Sequence, residues 1–165
     1  MDQQILNFAI SLVGRWGLAV EFCVSYLPHL VFLAILGWFC LNLRRRVFWE
    51  LVGAAILSRV IITETIRLLW DRARPFAELG FQPLVEHSAS ASFPSGHATF
   101  FFALSGVVFA YNKRMGTLFF LLSAVIVVSR VMAGIHWPSD VLGGAVIGIG
   151  SALVVIHFSK KKSLI

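Results

Sequence analysis

Residues 22–43 read FCVSYLPHLVFLAILGWFCLNL and are followed directly by Arg44-Arg45-Arg46. About 20 consecutive apolar residues are what an α-helix needs to cross the hydrocarbon core of a bilayer. No Asp, Glu, Lys or Arg interrupts this run, and a cluster of positive charge marks its end. We therefore predict a membrane-spanning helix over Phe22–Leu43.

The composition of the whole chain also points to a lipid environment. Of its 165 residues, 58% are hydrophobic and only 13% are charged, and the mean hydropathy is +0.84. A soluble domain carries about 25% charged residues, so the excess apolar surface needs lipid to cover it. The net charge of +6 does not indicate nucleic acid, because the basic residues lie between apolar runs. We expect a single all-α membrane domain over residues 1–165, with the bilayer as partner and no nucleic acid.

Other apolar segments complete the predicted fold. An N-terminal segment, Ile5–Val20, is short and contains Arg15. It is more typical of an interfacial helix lying along the membrane than of a sixth span. The predicted fold is a polytopic membrane helix bundle with about five transmembrane helices plus an N-terminal interfacial helix, or six spans. The four spans after the first are predicted over Val47–Trp70, Gly96–Tyr111, Gly116–Val131 and Ser139–Phe158.

Basic clusters between the spans predict the orientation of the bundle. Loops rich in Lys and Arg face the cytoplasm. If each segment crosses once, the polar loop Asp71–Pro94 and the connection Arg130–Ser139 share the opposite, outer face. The clusters that fall together on the cytoplasmic side are Arg44-Arg45-Arg46, Lys113-Arg114 and Lys160-Lys161-Lys162.

Two arginines flank the start of the outer loop. The segment Arg67-Leu-Leu-Trp-Asp-Arg-Ala-Arg74-Pro75 places Arg67 at the end of the second predicted span and Arg74 in the loop. A guanidinium presents a planar fork of donors that matches phosphate oxygens, and it does not lose its charge. The pair therefore suits phosphate, although both residues can also be anchors whose heads reach the lipid headgroups.

A second polar motif, Pro94-Ser95-Gly96-His97, opens the third predicted span. A Ser-Gly pair at a helix start offers free backbone N–H groups, a hydroxyl and the positive end of the helix dipole. That combination suits an anion. His97 follows directly and can donate a proton. The alternative is a simple helix cap with an interfacial histidine.

The third motif lies in the second outer connection. Ser129-Arg130 is followed after five residues by His136 and after three more by Asp140, near the start of the fifth span. A carboxylate within reach of one ring nitrogen fixes the histidine tautomer and makes the other nitrogen a better nucleophile. Arg130 adds a phosphate donor. The alternative is a structural ion pair, because charged groups at a membrane boundary need a partner.

Together the three motifs resemble the signature of the type 2 phosphatidic acid phosphatase superfamily, K-x6-R-P, P-S-G-H and S-R-x5-H-x3-D. The second and third parts are present in full. The first keeps its spacing but begins with Arg67 in place of lysine, which changes the donor geometry there. The resemblance covers roughly half of the chain, from Arg67 to Gly148. The matching residues are Arg67, Arg74-Pro75, Pro94-Ser95-Gly96-His97, Ser129-Arg130, His136 and Asp140.

The resemblance implies a phosphatase that uses no metal or other cofactor and works through a phosphohistidine intermediate. His136 would attack the phosphorus, Asp140 would orient and polarise it, and His97 would protonate the leaving oxygen. This division of labour is chemically reasonable, since phosphoryl transfer depends mainly on alignment and charge stabilisation. The residues expected to hold the phosphoryl oxygens are Arg67, Arg74, Arg130, Ser95 and Gly96.

Other polar residues are given no part in the predicted site. Arg59 lies inside the second span with Glu64 five residues further on, and we favour a structural ion pair over substrate contact. His87 is interpreted as a plain loop residue. Those without an assigned role are Arg72, His29, His157, Cys23 and Cys40.

Within the superfamily, the chain is most similar to the bacterial undecaprenyl-diphosphatases, on its small size, its short N-terminal helix and the loop from Arg74 to Ser95. This implies a phosphorylated lipid substrate at the outer face of the bacterial cytoplasmic membrane. The favoured reaction is conversion of undecaprenyl diphosphate, the carrier lipid of cell-wall synthesis, to the monophosphate. Phosphatidic acid, phosphatidylglycerol phosphate and lipid A 1-phosphate are alternatives, and no obligate protein partner is indicated.

The sequence argues against two other classes of protein. A non-catalytic membrane transporter would spread its charged residues through the spans, whereas here they gather at one mouth of the bundle. The vanadate-dependent haloperoxidases share these motifs, but they are soluble enzymes, and the predicted spans argue against them.

Overall fold

The computed structural model describes residues 1–162, with side chains through Lys160. Every regular element in that range is helical, and a π-helical segment, Ile56–Ile62, joins α4 to α5. Part of the predicted C-terminal basic cluster, the side chains of Lys161 and Lys162, lies outside the described residues. The helices are α1 Asp2–Ser11, α2 Val13–Ser25, α3 Leu27–Asn42, α4 Arg45–Ala55, α5 Thr63–Leu69, α6 Pro75–Leu79, α7 Gly96–Tyr111, α8 Lys113–Met132 and α9 Pro138–Lys162.

Helix α7 lies at the centre of the bundle and packs along both α8 and α9. It approaches α9 closely, because a Cβ atom on Gly148 would lie only 2.5 Å from the carbonyl oxygen of Thr99. Small residues allow such backbone contact between membrane helices. The contact sets the first turns of α7 and α9 side by side, where the Ser95 N–H donates to the Asp140 carbonyl oxygen at 3.1 Å.

Two helices in the described range, α8 and α9, are long and apolar enough to cross a membrane as single helices. A third span results if the bent pair α1 and α2 is counted together, and α3 and α7 are apolar but shorter, with 16 residues each. The predicted span Gly96–Tyr111 has the bounds of α7. The structure thus agrees with an all-α membrane bundle, and the total of five spans stays a prediction.

The predicted first span is wrong as a single helix. Residues 22–43 are divided between α2 and α3, which meet at Tyr26. Pro28, in the first turn of α3, explains the break, because proline lacks the N–H for a bond to the preceding turn and disfavours helix in the residue before it. Cys23 and Cys40 consequently lie on different helices, and both are free thiols.

The N-terminal segment is also broken where one helix was predicted. Within Ile5–Val20, α1 ends at Ser11 and α2 begins at Val13, and the two helices form an angle of 96°. A second irregularity follows at Trp16, whose backbone is non-helical (φ −122°, ψ 16°). Glycines such as Gly14 and Gly17 are weak helix formers, which accounts for irregular helix in this part of the chain.

The second predicted span corresponds to the continuous helix from α4 through α5, with an unpredicted π-helical segment inside it. The hydroxyl of Thr63 donates to the carbonyl of Ser58 at 2.8 Å and contacts the hydroxyl of Thr99 in α7 at 3.0 Å. These bonds tie the π-helical segment to the first turns of α7. The predicted Asp71–Pro94 loop is irregular except for α6.

Candidate active site

A cavity of about 550 Å³ opens at the end of the bundle where α5 and α8 end and α3 and α7 begin. Most of the predicted site residues line this cavity. The other two lie immediately behind its wall, where Ser95 precedes Gly96 and Asp140 contacts His136. The six predicted residues that line it are Arg67, Arg74, Gly96, His97, Arg130 and His136.

His136 is held in the short connection between α8 and α9. Gly134 adopts a positive φ of 74° there, and a Cβ at that position would lie 2.5 Å from the ring of Phe81. Glycine is therefore required for the turn that leads into His136. Pro138 then begins α9, so Asp140 lies in its first turn, with its carboxylate 3.4 Å from Nδ1 of His136.

The carboxylate of Asp140 is buried and accepts several hydrogen bonds. Oδ2 accepts from the Ser92 hydroxyl at 2.5 Å and from the Trp137 N–H at 2.9 Å. Oδ1 accepts from the guanidinium of Arg72 at 2.8 Å. These donors fix the position of the carboxylate beside the ring of His136.

Contacts on the other side of the ring define the tautomer of His136. Nη1 of Arg74 lies 3.3 Å from Nε2 of His136. Because a guanidinium donates and never accepts, Nε2 must carry the lone pair, and the proton must be on Nδ1, facing Asp140. The side chain is only 2% exposed, and burial lowers the pKa of His136 from 6.5 to about 4. At neutral pH the cavity is therefore lined by an uncharged imidazole whose Nε2 lone pair is directed at Arg74.

Arg74 is buried by the outer loop. It is 1% exposed and donates to the carbonyls of Ser90 at 2.8 Å, Ile135 at 3.2 Å and Ala91 at 3.3 Å. Burial lowers the pKa of Arg74 to about 10, so the side chain stays charged at neutral pH. These bonds wrap the loop around the guanidinium and hold it against His136.

Three buried donors of the predicted site have no hydrogen-bond partner among the described residues. They are Nε of Arg67, Nε of Arg130 and the hydroxyl of Ser95. An unpaired buried donor costs about 1–3 kcal/mol, and charged donors cost more. Such groups are expected where a ligand supplies the acceptors, and the positive charge of the two arginines favours an anion.

The first turn of α7 adds backbone donors to the same wall. Helix α7 begins at Gly96, directly after its N-cap residue Ser95. Arg67 stabilises the turn before the helix by donating to the Pro94 carbonyl at 3.0 Å. The first N–H groups of a helix have no partner within the helix and lie at the positive end of its dipole. His97, one residue further on, lines the cavity with its ring stacked on Phe101.

Arg72 has a part in this site that the sequence interpretation missed. Its guanidinium bridges the carboxylates of Asp140 and Asp2 at 2.8 and 2.9 Å and lies over the ring of Trp137. Asp2 also accepts from the backbone N–H of Ser139 at 3.2 Å, at the start of α9. The N-terminal helix is thereby fastened to the carboxylate that positions His136.

We predict that Arg72→Gln lowers kcat by about tenfold, because the charged guanidinium that donates to Asp140 is replaced by an amide, which is at most a neutral donor. KM should change less than threefold, since Arg72 does not line the cavity. Arg72→Lys should recover part of the loss, as it restores the charge. Steady-state kinetics on the purified variants test this, and an unchanged kcat in Arg72→Gln would contradict the positioning role.

Among the other residues that line the cavity are three basic or histidine side chains that were given no part in the predicted site: Arg59, His29 and His87. His87 lies in a loop, as predicted, but its ring is only 6.4 Å from that of His136, and burial lowers its pKa below 6.5. The predicted ion pair of Arg59 with Glu64 is present. No spacing pattern in the sequence distinguished these residues, because the approach of distant segments places them.

The pKa of His136 leads to a pH prediction. The unfolded chain takes up this proton near pH 6.5 and the folded protein only near pH 4, so falling pH within that interval lowers the stability of the fold. In phosphate-free detergent solution, NMR of labelled histidine should show one ring titrating near pH 4, and its signal should be missing from His136→Ala. A midpoint of 6.5 or higher would contradict the buried, neutral imidazole.

The fold and this cavity together define a helical membrane protein with a polar, arginine-lined site at one end of the bundle. The sequence pattern of the PAP2 superfamily matches residues 48–164. The chain therefore belongs to the PAP2 superfamily, as its three motifs predicted.

Two relatives and one solved structure show how the chain compares with known proteins. It is 30% identical over 148 residues to the bacitracin transport permease protein BcrC of Bacillus licheniformis, covering 88% of this chain and 73% of that protein. It is 32% identical to the undecaprenyl-diphosphatase BcrC of Bacillus subtilis, covering 79% of this chain and 66% of that protein. The crystal structure of Aquifex aeolicus LpxE has the same fold, with a TM-score of 0.79, 23% identity and 94% of each chain covered.

Proposed function

We propose that this protein is a lipid phosphatase that removes the terminal phosphate of undecaprenyl diphosphate through a phosphohistidine at His136. The observation that carries the proposal is the arrangement around the cavity. A neutral imidazole, with its lone pair fixed on Nε2, faces the same space as four arginines, two of which have buried donors without a partner in the described residues. A nucleophile beside a set of donors for oxygen atoms is the arrangement that phosphoryl transfer requires.

In the first step, Nε2 of His136 attacks the terminal phosphorus. The N–P bond forms as the bond between phosphorus and the bridging oxygen breaks, and His97 donates a proton to the departing oxygen. Asp140 stabilises the positive charge that develops on the ring and accepts from Nδ1. Undecaprenyl monophosphate is the leaving product.

In the second step, water attacks the phosphohistidine. His97, now without its proton, takes one from the water, the N–P bond breaks, and inorganic phosphate leaves. Across both steps the phosphoryl oxygens are held by charged and backbone donors, which stabilise the transition-state charge. The groups in this role are Arg67, Arg74, Arg130, the Ser95 hydroxyl and the backbone N–H of Gly96.

The wall of the cavity beyond the arginines suits a lipid. Phe32 of α3 and Phe100 of α7 line it with their ring centroids 6.0 Å apart, and Pro28 lies one turn before Phe32. A polar head can reach His136 from this side while the prenyl tail stays in the bilayer. By the positive-inside rule, this end of the bundle is on the extracytoplasmic side of the cytoplasmic membrane.

A substrate panel tests the proposal. The purified protein in detergent with EDTA is given undecaprenyl diphosphate, phosphatidic acid or phosphatidylglycerol phosphate, and phosphate release is measured. We expect the diphosphate to have the highest kcat/KM. Preference for a glycerophospholipid would contradict undecaprenyl diphosphate as the substrate but not the proposed phosphatase mechanism. Absence of phosphate release from every lipid would contradict phosphatase activity and favour a transport protein, as the name of one relative suggests.

A further inference from the structure

Arg59 is a cationic residue of the cavity wall with no part in the steps above. It lies in the π-helical segment, is 38% exposed, and pairs with Glu64. Glu64 in turn lies 3.7 Å from Nη1 of Arg67. Arg59 thus belongs to a charged row, Arg59–Glu64–Arg67, that runs along one face of the helix towards the predicted phosphate site.

The π-helical segment is what places Arg59 in this row. In an α-helix, residues five apart differ by roughly 140° around the axis and face different directions. The i→i+5 hydrogen bonds of the π-helical segment alter this spacing, and Arg59 within the segment pairs with Glu64 in the first turn of α5. The Thr63 hydroxyl bonds to Ser58 and Thr99 and fixes this geometry against α7. Insertions of this kind are frequent at functional sites.

The guanidinium of Arg59 lies against the first residue of α7. A Cβ atom on Gly96 would be only 2.8 Å from Nε of Arg59, so glycine allows the two to meet. Phe100 lies one turn further along the same helix and lines the apolar part of the cavity. Arg59 therefore lies against the first turn of α7, beside both the predicted phosphate-binding residue Gly96 and the apolar lining residue Phe100.

We propose that Arg59 binds the inner phosphate of a diphosphate lipid, and so acts as a specificity-determining residue for diphosphates over phosphomonoesters. This inference rests on the proposed function, because it assumes that the terminal phosphate is held at His136. The inner phosphate, which becomes the charged end of the leaving group, then lies towards Arg59. Glu64 orients Arg59 and balances part of its charge.

Phosphorus NMR titrations of the whole protein in detergent test this without any turnover. The ligands are methylenediphosphonate, which carries two linked phosphoryl groups, and inorganic phosphate, which carries one. The wild type should bind the diphosphonate more tightly than phosphate. Arg59→Gln should weaken diphosphonate binding by about tenfold, the loss expected for one charge-assisted contact, and change phosphate binding less than threefold.

A second variant separates ligand binding from ion pairing. If Arg59 serves only to neutralise Glu64, the double variant Arg59→Gln/Glu64→Gln should bind the diphosphonate as the wild type does. If Arg59 binds the inner phosphate, the double variant should stay about as weak as Arg59→Gln, and Arg59→Lys should recover part of the affinity.

The outcomes distinguish this inference from the proposed function. Equal weakening of both ligands in Arg59→Gln, no weakening, or full recovery in the double variant would overturn the role of Arg59, whatever the substrate panel shows. A loss of diphosphonate affinity in Arg59→Gln that spares phosphate binding, and that the double variant does not restore, would support the role of Arg59. Failure of the proposed function appears separately, as a lack of preference for undecaprenyl diphosphate in turnover.

Discussion

His136→Ala is expected to reduce phosphate release by about 10⁴-fold or more, because it removes the atom proposed to form the bond to phosphorus. The side chain is buried between Arg74 and Asp140, yet its removal leaves the bundle interfaces of α7 with α8 and α9 untouched. The variant should therefore be extracted from membranes in the same amount as the wild type and elute as a single species in detergent. Phosphate release with the best lipid of the panel, under saturating conditions, measures the loss.

A matched control exists in the same chain. His157→Ala removes a histidine that is exposed on α9 and lies outside the cavity lining. It should leave kcat within about twofold of the wild type, as expected for a surface position away from the site. Normal activity in His136→Ala, or equal losses in both variants, would contradict the assignment of the nucleophile.

Asp140→Asn is expected to lower kcat by about 10³-fold with little change in size. The carboxylate accepts from Ser92, Trp137 and Arg72, so an amide nitrogen at this position would face a donor. The amide also removes the negative charge that holds the proton on Nδ1 and stabilises the charged ring. Binding of inorganic phosphate should persist within about threefold, because the arginines that line the cavity are unchanged.

Asp71→Asn provides the comparison for this variant, since Asp71 is an exposed carboxylate in the same outer loop. It should retain at least about half of the wild-type kcat. If Asp140→Asn kept more than about a tenth of the activity, the carboxylate would not be needed to orient His136. If it lost phosphate binding altogether, the defect would be in the shape of the cavity.

The sequence was sufficient to predict how residues are arranged within a motif when they lie close together along the chain. His136 and Asp140 are one helical turn apart across the start of α9, and Ser95 and Gly96 open α7, so short spacing alone predicted their relation. That the motifs would meet at one end of the bundle followed from the charge of the connecting loops. The structure brings the predicted residues around one cavity, while their chemical roles stay predictions.

Other features of the site depend on tertiary contacts that a linear pattern does not contain. Arg72 occupies a variable position of its motif. Its role in the site depends on its ion pairs with Asp140 and with Asp2, which is near the N-terminus. The π-helical segment that turns Arg59 towards Gly96 has no spacing signature of its own. One signal was overlooked, because Pro28 inside the first apolar run is a reason to expect the helix break at Tyr26.

A covalent phosphohistidine is the central intermediate of the proposed reaction, and the stereochemistry at phosphorus tests that step directly. A lipid diphosphate whose terminal phosphorus is made chiral with sulfur and an oxygen isotope is hydrolysed in water carrying a third isotope. The configuration of the released thiophosphate is then determined. Two successive in-line displacements, first by His136 and then by water, predict retention of configuration. Inversion would show that water attacks the lipid phosphate directly, and would contradict the proposed role of His136.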